Sequence, residues 1–178
     1  MLIRTATLDD AKELLDIYTP YVINTDITFE YDVPSLDVFK NRMETVLKKF
    51  TYLVALNEDE KIIGYAYASE YRSRQAYQYV CELSIYIDQA YRHQHVGTLL
   101  YRRLIEILKE LHYQKVYACI TYPNEDSIAF HEKLGFSQIG YFKECGFKHD
   151  HWLDMVWLEK RINLKEERLN IINYRDFR

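Results

Sequence analysis

One segment, residues 79–112, constrains the fold of this chain more than any other. It begins with YVCELSIYI (79–87), a run rich in the β-branched and aromatic residues typical of a strand. A short polar turn follows, and then a helical pattern in which apolar residues recur at Val96, Leu100, Leu104, Ile107 and Leu111. That spacing places all five on one helix face. A buried strand joined to such a helix is typical of an α/β domain.

The remaining segments extend this unit in both directions. Alternating or apolar runs predict further strands at 2–6, 51–56, 62–69, 116–122, 136–144 and 152–159. A helix is predicted to start after Thr7 and to end at Pro20. Others are predicted to start at Pro34-Ser35 and at Pro123-Asn124.

The predicted element order is therefore βααβββαβαββ, without repeats or linkers. We expect one α/β domain over residues 1–162, since about 150 residues is an ordinary domain length. Residues 163–178 are predicted to be a C-terminal extension, either an appended helix or a loose terminus.

Charge and composition exclude several classes of protein. The 178 residues include 23 Lys and Arg against 27 Asp and Glu, a formal charge of −4, so we expect no nucleic-acid partner. No apolar run is long enough for a membrane span. The start, MLIRTATLDDAKEL, lacks the apolar core of a signal peptide. Three cysteines (Cys81, Cys119 and Cys145) suggest free thiols, so we expect a cytoplasmic protein.

The turn before the helix at residue 96 is a candidate anion site. The free N–H groups and positive dipole of a helix start suit a diphosphate. Arg92 adds a cation, Gly97 lets a ligand approach the backbone, and Thr98 offers a hydroxyl. The turn contains neither a Rossmann fingerprint nor a P-loop, so an ordinary helix cap remains the alternative.

Two motifs in this region resemble those of the GCN5-related N-acetyltransferase (GNAT) superfamily. The turn matches the pattern Gln/Arg-x-x-Gly-x-Gly/Ala at Arg92 and Gly97, with His95 in place of the first glycine. The segment from Asn124 to Phe136 resembles Asn-x-x-Ala-x-x-x-Tyr-x-x-x-Gly-Phe. The resemblance covers about residues 2–160. It implies an α/β (α+β) GNAT fold, with a mixed, mostly antiparallel sheet of six to seven strands and helices on both faces.

A closer resemblance is to the phosphinothricin and methionine sulfone/sulfoximine acetyltransferases. It is carried by Arg74-Gln-Ala-Tyr77, by Glu82-Leu-Ser-Ile-Tyr86, by Ile27-Thr-Phe-Glu30 and by the segment from Gly146 to Asp154. A histidine where the superfamily has tyrosine, here His131, is common to that branch. The resemblance implies acetyl-CoA as cosubstrate, a small amine as acceptor and a homodimer.

The same resemblance assigns binding residues. Acetyl-CoA is expected in a notch where strands 79–87 and 116–122 separate. Its predicted contacts are Ile85, Tyr86, Ile87, Arg92, His93, Gln94, His95, Val96, Gly97, Thr98 and Asn124. The predicted acceptor residues are Phe29, Glu30, Arg72, Arg74, Gln75, Ala76, Tyr77 and Lys133. Asn124 is open to a second reading as a helix N-cap.

Glu82 is the strongest candidate for catalysis from the residues themselves. It lies inside an apolar strand, on the face of Val80 and Ser84. A carboxylate there is either costly to bury or faces a cleft. An amine with a pKa of about 10.4 is mostly protonated at neutral pH, so a proton acceptor assists its attack. We predict that Glu82 is this base, acting through water; an ion pair with Arg72 or Arg74 is the alternative.

His131 has two open roles. It could protonate the departing thiolate of coenzyme A, as the family's tyrosine does, or it could simply pack in the core. The Cys145-x₃-His149-x-His151 pattern has metal-binding residue types but lacks a fourth ligand, so no metal is expected.

The sequence therefore predicts an N-acetyltransferase that acts by direct attack of a small amino acid or analogue on acetyl-CoA. Acetylation of protein N-termini or polyamines is an alternative. A non-catalytic acyl-CoA-binding module is another, because the bulk of His95 could block the diphosphate.

Overall fold

A computed structural model describes residues 1–164 and 169–177 of the chain. The strands within these residues are β1 (Leu2–Thr5), β2 (Tyr52–Leu56), β3 (Ile62–Glu70), β4 (Val80–Ile87), β5 (Lys115–Tyr122), β6 (Ser137–Lys148) and β7 (His151–Arg161). The helices are α1 (Ala11–Asn24), α2 (Leu36–Leu47), α3 (Val96–Glu110), α4 (Glu125–Lys133) and the short α5 (Tyr174–Phe177). The predicted order of strands and helices is confirmed.

One mixed sheet contains the strands in the order β1-β2-β3-β4-β5-β7-β6. All neighbouring pairs are antiparallel except β4 and β5. These two parallel strands pair over residues 80–82 and 115–117 and then separate. The predicted notch is confirmed, and it opens between residues 83–87 and residues 118–122.

The helices cover both faces of the sheet, as predicted. On one face, Leu14, Tyr18 and Met43 of α1 and α2 pack with Val54 and Tyr65 of the sheet. On the other face, the apolar stripe of α3 forms a second core with side chains of β2 to β5, which Phe136 and partly buried residues of α4 join. Burying apolar side chains on both faces is the main source of stability in such a layered domain.

The predicted end of the first helix at Pro20 is wrong, because α1 continues through Pro20 to Asn24. Proline removes one helical hydrogen bond and costs about 3 kcal/mol in a helix interior. Tyr21 and Val22 beyond it are almost completely buried against the sheet. Burial of such side chains is worth about 1.5–3 kcal/mol each, which offsets the proline.

The described part of the C-terminal extension packs on the domain. Tyr174 is buried, and its hydroxyl lies 2.7 Å from Oγ1 of Thr5. The Ile172 N–H donates to the Leu111 carbonyl at 3.2 Å, at the end of α3. These contacts argue against a loose terminus for residues 169–177. Residues 165–168 and 178 lie outside the described residues.

Candidate active site

A cavity of about 310 Å³ lies where β4 and β5 separate. Its walls come from β4, from β5, from the start of α4 and from the connection between α1 and α2. The lining residues are Ile27, Thr28, Phe29, Glu82, Leu83, Ser84, Ile85, Tyr86, Tyr101, Ala118, Cys119, Ile120, Thr121, Asn124, Ser127, His131 and Met155.

Glu82 lies on the cavity wall, at the last residue of β4 that pairs with β5. The strand alternates as predicted, because Cys81 and Leu83 are buried in the opposite core. Within the described residues the Glu82 carboxylate has no hydrogen-bond or ion-pair partner. Arg72 is exposed and stacks on the rings of Tyr71 and Tyr77 instead. Burial raises the pKa of the Glu82 carboxyl above its ordinary value, as a proton acceptor for work near neutral pH requires.

The edge of β4 beyond Glu82 offers backbone groups to the cavity. The Asp88 N–H donates to Ile63 on β3, so by alternation the N–H groups of Ile85 and Ile87 face the separated side. At Ile87 the Tyr21 hydroxyl occupies this edge, donating to the carbonyl at 2.6 Å and accepting from the N–H at 3.2 Å. The backbone of Ile85 is therefore left to receive an extended ligand.

The predicted diphosphate turn has the backbone of an anion site. His93 and His95 both have left-handed conformations, with φ of 61° and 62°. Glycine adopts that region freely, which explains the glycine usual at position 95 in the family pattern. The His95 side chain is exposed. The first N–H groups of α3 follow at Val96, Gly97 and Thr98, and the Arg92 guanidinium lies over the Tyr21 ring. These groups together suit a bound phosphate.

Replacing His95 with glycine is expected to leave the Kd for acetyl-CoA within about threefold of wild type, as calorimetry would measure it. The reason is that the backbone already has a glycine-like conformation and the imidazole points to solvent. His112→Gly, at another left-handed residue remote from the turn (φ 72°), controls for the general effect of removing such strain. A gain in affinity of about tenfold or more would contradict this expectation and would indicate a blocking histidine.

His131 is buried, with 3% of its surface exposed. Its Nδ1 lies 2.7 Å from the Ser127 carbonyl, so this nitrogen carries the proton. Nε2 then accepts from the hydroxyl of Tyr101, 3.2 Å away. Burial lowers the pKa of His131, which favours the neutral ring. This geometry agrees with the packing alternative and leaves no proton on Nε2.

Tyr101 and Asn124 complete this side of the cavity. Asn124 is the N-cap of α4, and its side chain accepts from the Ser127 N–H at 3.2 Å. It also lines the cavity, so capping does not exclude a coenzyme contact. Tyr101 was missed by the sequence analysis. In the sequence, the one indication of a functional role for Tyr101 is its hydroxyl group beside the apolar stripe of α3. Most tyrosines in such positions are simply core residues.

The predicted acceptor residues are only partly brought together in this chain. Phe29 lines the cavity, and Glu30 forms an ion pair with Arg42 of α2. The others lie outside the cavity wall: Arg72, Arg74, Gln75, Ala76 and Tyr77 on the connection between β3 and β4, and Lys133 at the end of α4. Ser84 and Thr121 were not predicted as acceptor residues but line the cavity, as does Thr28 of the Ile27–Glu30 segment.

The histidines of the possible metal motif contact an aspartate. Nδ1 of His149 lies 2.8 Å from Oδ1 of Asp26, and Nε2 of His151 lies 3.2 Å from Oδ2. In residues 1–164 and 169–177, no group of three or more His, Cys, Asp or Glu side chains is arranged to hold a metal ion. The helices of the same residues include none with the length and hydropathy to cross a bilayer.

An open notch between two parallel strands, with a helix start beyond it and a partly buried carboxylate on its wall, is typical of enzymes that bind an acyl thioester along a strand edge. Residues 3–157 match the family model of the acetyltransferase (GNAT) domain. The chain belongs to the GNAT acetyltransferase family, and the predicted acetyl-CoA-dependent N-acetyltransferase is confirmed.

Several similar proteins carry the names of one branch of this family. It is 30% identical over 161 residues to a phosphinothricin N-acetyltransferase of Streptomyces coelicolor, covering 89% of this chain and 94% of the relative. It is 26% identical over 166 residues to an L-methionine sulfoximine/L-methionine sulfone acetyltransferase of Salmonella typhimurium, covering 92% and 95%. A crystal structure of a Sinorhizobium meliloti phosphinothricin acetyltransferase in complex with acetyl-CoA superposes with a TM-score of 0.90 at 32% identity, covering 98% of this chain and 96% of that one. The predicted resemblance to this branch is confirmed.

Proposed function

We propose that this protein transfers an acetyl group from acetyl-CoA to the primary amine of a small amino acid or analogue, of the phosphinothricin or methionine sulfoximine type, by direct attack. The observation that carries the proposal is Glu82, a partly buried carboxylate without a partner among the described residues, on the wall of a cavity where β4 opens. Relatives named for such amino acid analogues support the acceptor class.

The residues divide the chemistry between them. Glu82 takes a proton from the ammonium form of the acceptor, directly or through water, which frees the nitrogen lone pair for attack. The Ile85 N–H faces the thioester carbonyl and stabilises its oxygen as negative charge develops there. The nitrogen bonds to the thioester carbon, the carbon–sulfur bond then breaks, and coenzyme A leaves as a thiolate. The nitrogen loses two protons in all: the first passes through Glu82 to solvent, and the second, lost after attack, balances the proton that the thiolate gains.

The cavity is suited to a small acceptor. Within the described residues, Glu82 is the one lining side chain that carries a charge, since His131 is held neutral. A polyamine would be expected to require several carboxylates, and the described lining of the cavity supplies one. This distribution supports the amino acid acceptor over the polyamine alternative.

The proposal is tested by measuring thiol release from acetyl-CoA by the purified protein against a panel of amines. The panel includes phosphinothricin, methionine sulfoximine, methionine sulfone, spermidine and a peptide with a free N-terminus. We expect release with one or more of the first three and little with the last two. Release with the peptide alone would support the N-terminal alternative, and tight acetyl-CoA binding without any release would support a binding module.

We also propose that the protein acts as a homodimer in the cytoplasm. Support for a dimer comes from the β6–β7 hairpin, which exposes Tyr141, Phe142, Phe147 and Trp152. Exposed aromatic groups of this extent are typical of protein interfaces. The free thiols of Cys81, Cys119 and Cys145 suit a reducing compartment.

A further inference from the structure

Lys148, the last residue of β6, is a buried lysine that the proposed chemistry does not use. Its side chain is 1% exposed, although lysine is among the residues least often buried. The Nζ atom lies 2.8, 2.7 and 2.8 Å from the carbonyl oxygens of Val22, Thr25 and Thr28. The ammonium group has three N–H bonds and donates one to each. A buried cation is thus satisfied entirely by backbone.

These carbonyls belong to the end of α1 and to the segment that follows it, residues 25–30, which we name the acceptor loop. The loop brings Thr28 and Phe29 to the cavity wall. A cation at the C-terminal end of a helix is stabilised by the helix dipole and by the unpaired carbonyls there. Because Lys148 contacts Thr25 and Thr28 together, it fixes the distance across the loop.

The loop is held at two further points by side-chain hydroxyls. The Tyr18 hydroxyl lies 2.6 Å from Oγ1 of Thr28, and Oγ1 of Thr121 donates to the Asp26 carbonyl at 2.7 Å. Thr121 is on β5 and lines the cavity. The loop is therefore anchored to α1 and to β5, one of the two strands that form the notch.

The side chain of Phe29 is placed by the same strand that carries Lys148. A Cβ built on Gly146 would lie 2.3 Å from the Phe29 ring, closer than any real contact. The ring therefore lies directly on the Gly146 backbone, two residues before Lys148. Strand β6 in this way positions both the backbone of the acceptor loop and its aromatic side chain.

We propose that Lys148 is a positioning residue for the amine acceptor: its ammonium holds the acceptor loop in the shape that places Thr28 and Phe29 opposite Glu82. This inference rests on the proposed function. The coenzyme groups, the Ile85 edge and the start of α3, do not contact Lys148. Losing it should therefore weaken acceptor binding selectively.

The test is Lys148→Met, which keeps the length of the side chain and removes the charge and all three donors. We expect the KM for the acceptor to rise by about tenfold or more, because small displacements of positioning groups have large effects. The Kd for acetyl-CoA should stay within about twofold of wild type. Hydrogen exchange of the backbone amides in residues 25–30 should become faster.

Two further variants sharpen the result. Lys148→Gln retains two N–H donors, and its effects should be intermediate. Lys115→Met is the matched control, because it removes an ion pair with Glu159 at the start of β5, away from the end of the strand that contacts the acceptor loop. It should change neither the KM for the acceptor nor the hydrogen exchange of the loop amides. A Lys148→Met protein with unchanged acceptor KM and unchanged loop exchange would overturn the proposal. Parallel loss of acetyl-CoA affinity in both Lys148 variants would also overturn it, since the lysine would then be a general stabiliser of the fold.

The experiment separates this inference from the proposed function. If the wild-type protein releases no thiol with any amine of the panel, the proposed function fails. Hydrogen exchange and acetyl-CoA affinity still decide whether Lys148 shapes the acceptor loop. If the wild type is active and Lys148→Met is unaltered in each measurement, the positioning role fails and the function stands.

Discussion

Replacing Glu82 with glutamine is expected to lower kcat for acetyl transfer by about 100-fold or more, the usual contribution of a positioned general base. Glutamine has nearly the same shape and keeps the cavity wall, but it cannot accept a proton at neutral pH. The Kd for acetyl-CoA, measured by calorimetry, should be almost unchanged because Glu82 acts on the acceptor. A fall in acetyl-CoA affinity equal to the fall in kcat/KM would contradict the assignment.

The matched control is Glu70→Gln on the neighbouring strand β3. Glu70 is exposed and pairs with Lys49, outside the cavity lining. This variant loses a carboxylate from the same sheet, and kcat should stay within about twofold of wild type because an exposed ion pair contributes about 1 kcal/mol or less. A similar loss of activity in both variants would indicate a general electrostatic effect and not a base at Glu82.

The raised pKa of Glu82 also predicts the direction of the pH dependence. A base acts only when deprotonated, so kcat/KM of the wild type should fall as the pH is lowered through the raised pKa. The acidic limb should lie above about pH 4.3, the ordinary pKa of glutamate. It should disappear from the residual activity of Glu82→Gln, provided that activity is measurable.

The ionised Glu82 carboxylate should also destabilise the folded protein, so thermal unfolding gives an independent measurement of its raised pKa. A carboxyl whose pKa is higher in the folded state binds a proton more strongly there, so ionisation at neutral pH favours unfolding. Glu82→Gln should therefore have a higher Tm than wild type at about pH 7.5, and the difference should vanish below about pH 4, where both states are protonated. The loss of activity would accompany a gain in stability.

The parts of the fold predicted from sequence are those encoded by local patterns. The period-two alternation of β4 put Glu82 on the correct face, and the spacing from Val96 to Leu111 gave α3. Motif residues such as Asn124 were identified because they lie at fixed sequence distances from the start of one helix. These features depend on neighbours fewer than about five residues apart, which a sequence displays directly.

The parts that were missed depend on contacts between distant segments. Lys148 donates hydrogen bonds to carbonyls that lie 120 to 126 positions earlier in the chain. The Tyr21 hydroxyl donates to the carbonyl of Ile87, which lies 66 positions later. Backbone carbonyls are the same for every residue type, so a side chain that binds them leaves no complementary pattern. Pro20 was misread for a related reason, since the burial that keeps α1 intact beyond it is tertiary.

Replacing His131 with leucine is expected to lower the free energy of unfolding by about 2–4 kcal/mol at pH 7.5, measured by urea denaturation. The apolar side chain fits a site surrounded by Tyr101, Phe130 and Phe136. It leaves the Ser127 carbonyl and the Tyr101 hydroxyl without their imidazole partner, and each such buried group costs about 1–3 kcal/mol. His151→Leu, at an exposed histidine of β7, is the control and should change stability by about 1 kcal/mol or less, since the contact with Asp26 that it loses is exposed.

The pH dependence of this loss has a definite sign. Burial lowers the pKa of His131 in the folded protein. Below about pH 6.5 the imidazole is therefore protonated in the unfolded chain but still neutral in the folded protein. Wild-type stability therefore falls as the pH is lowered through that value, until the folded protein is protonated too. The leucine variant lacks this contribution, and the difference in stability between the two proteins should shrink from about pH 7.5 to about pH 5.5. A difference that grows on acidification would mean that His131 is charged in the folded state, as a proton donor to the thiolate requires.

The hydrogen bond between His131 and Tyr101 predicts that the two side chains are energetically coupled. Tyr101→Phe alone leaves Nε2 of His131 without its donor, and His131→Leu alone leaves the Tyr101 hydroxyl without its acceptor. The double variant removes both groups and should be more stable than the sum of the single losses predicts, by about 1 kcal/mol. If the losses simply add, the two groups do not form the hydrogen bond that keeps the imidazole neutral, and the acid role for His131 is restored as the better explanation.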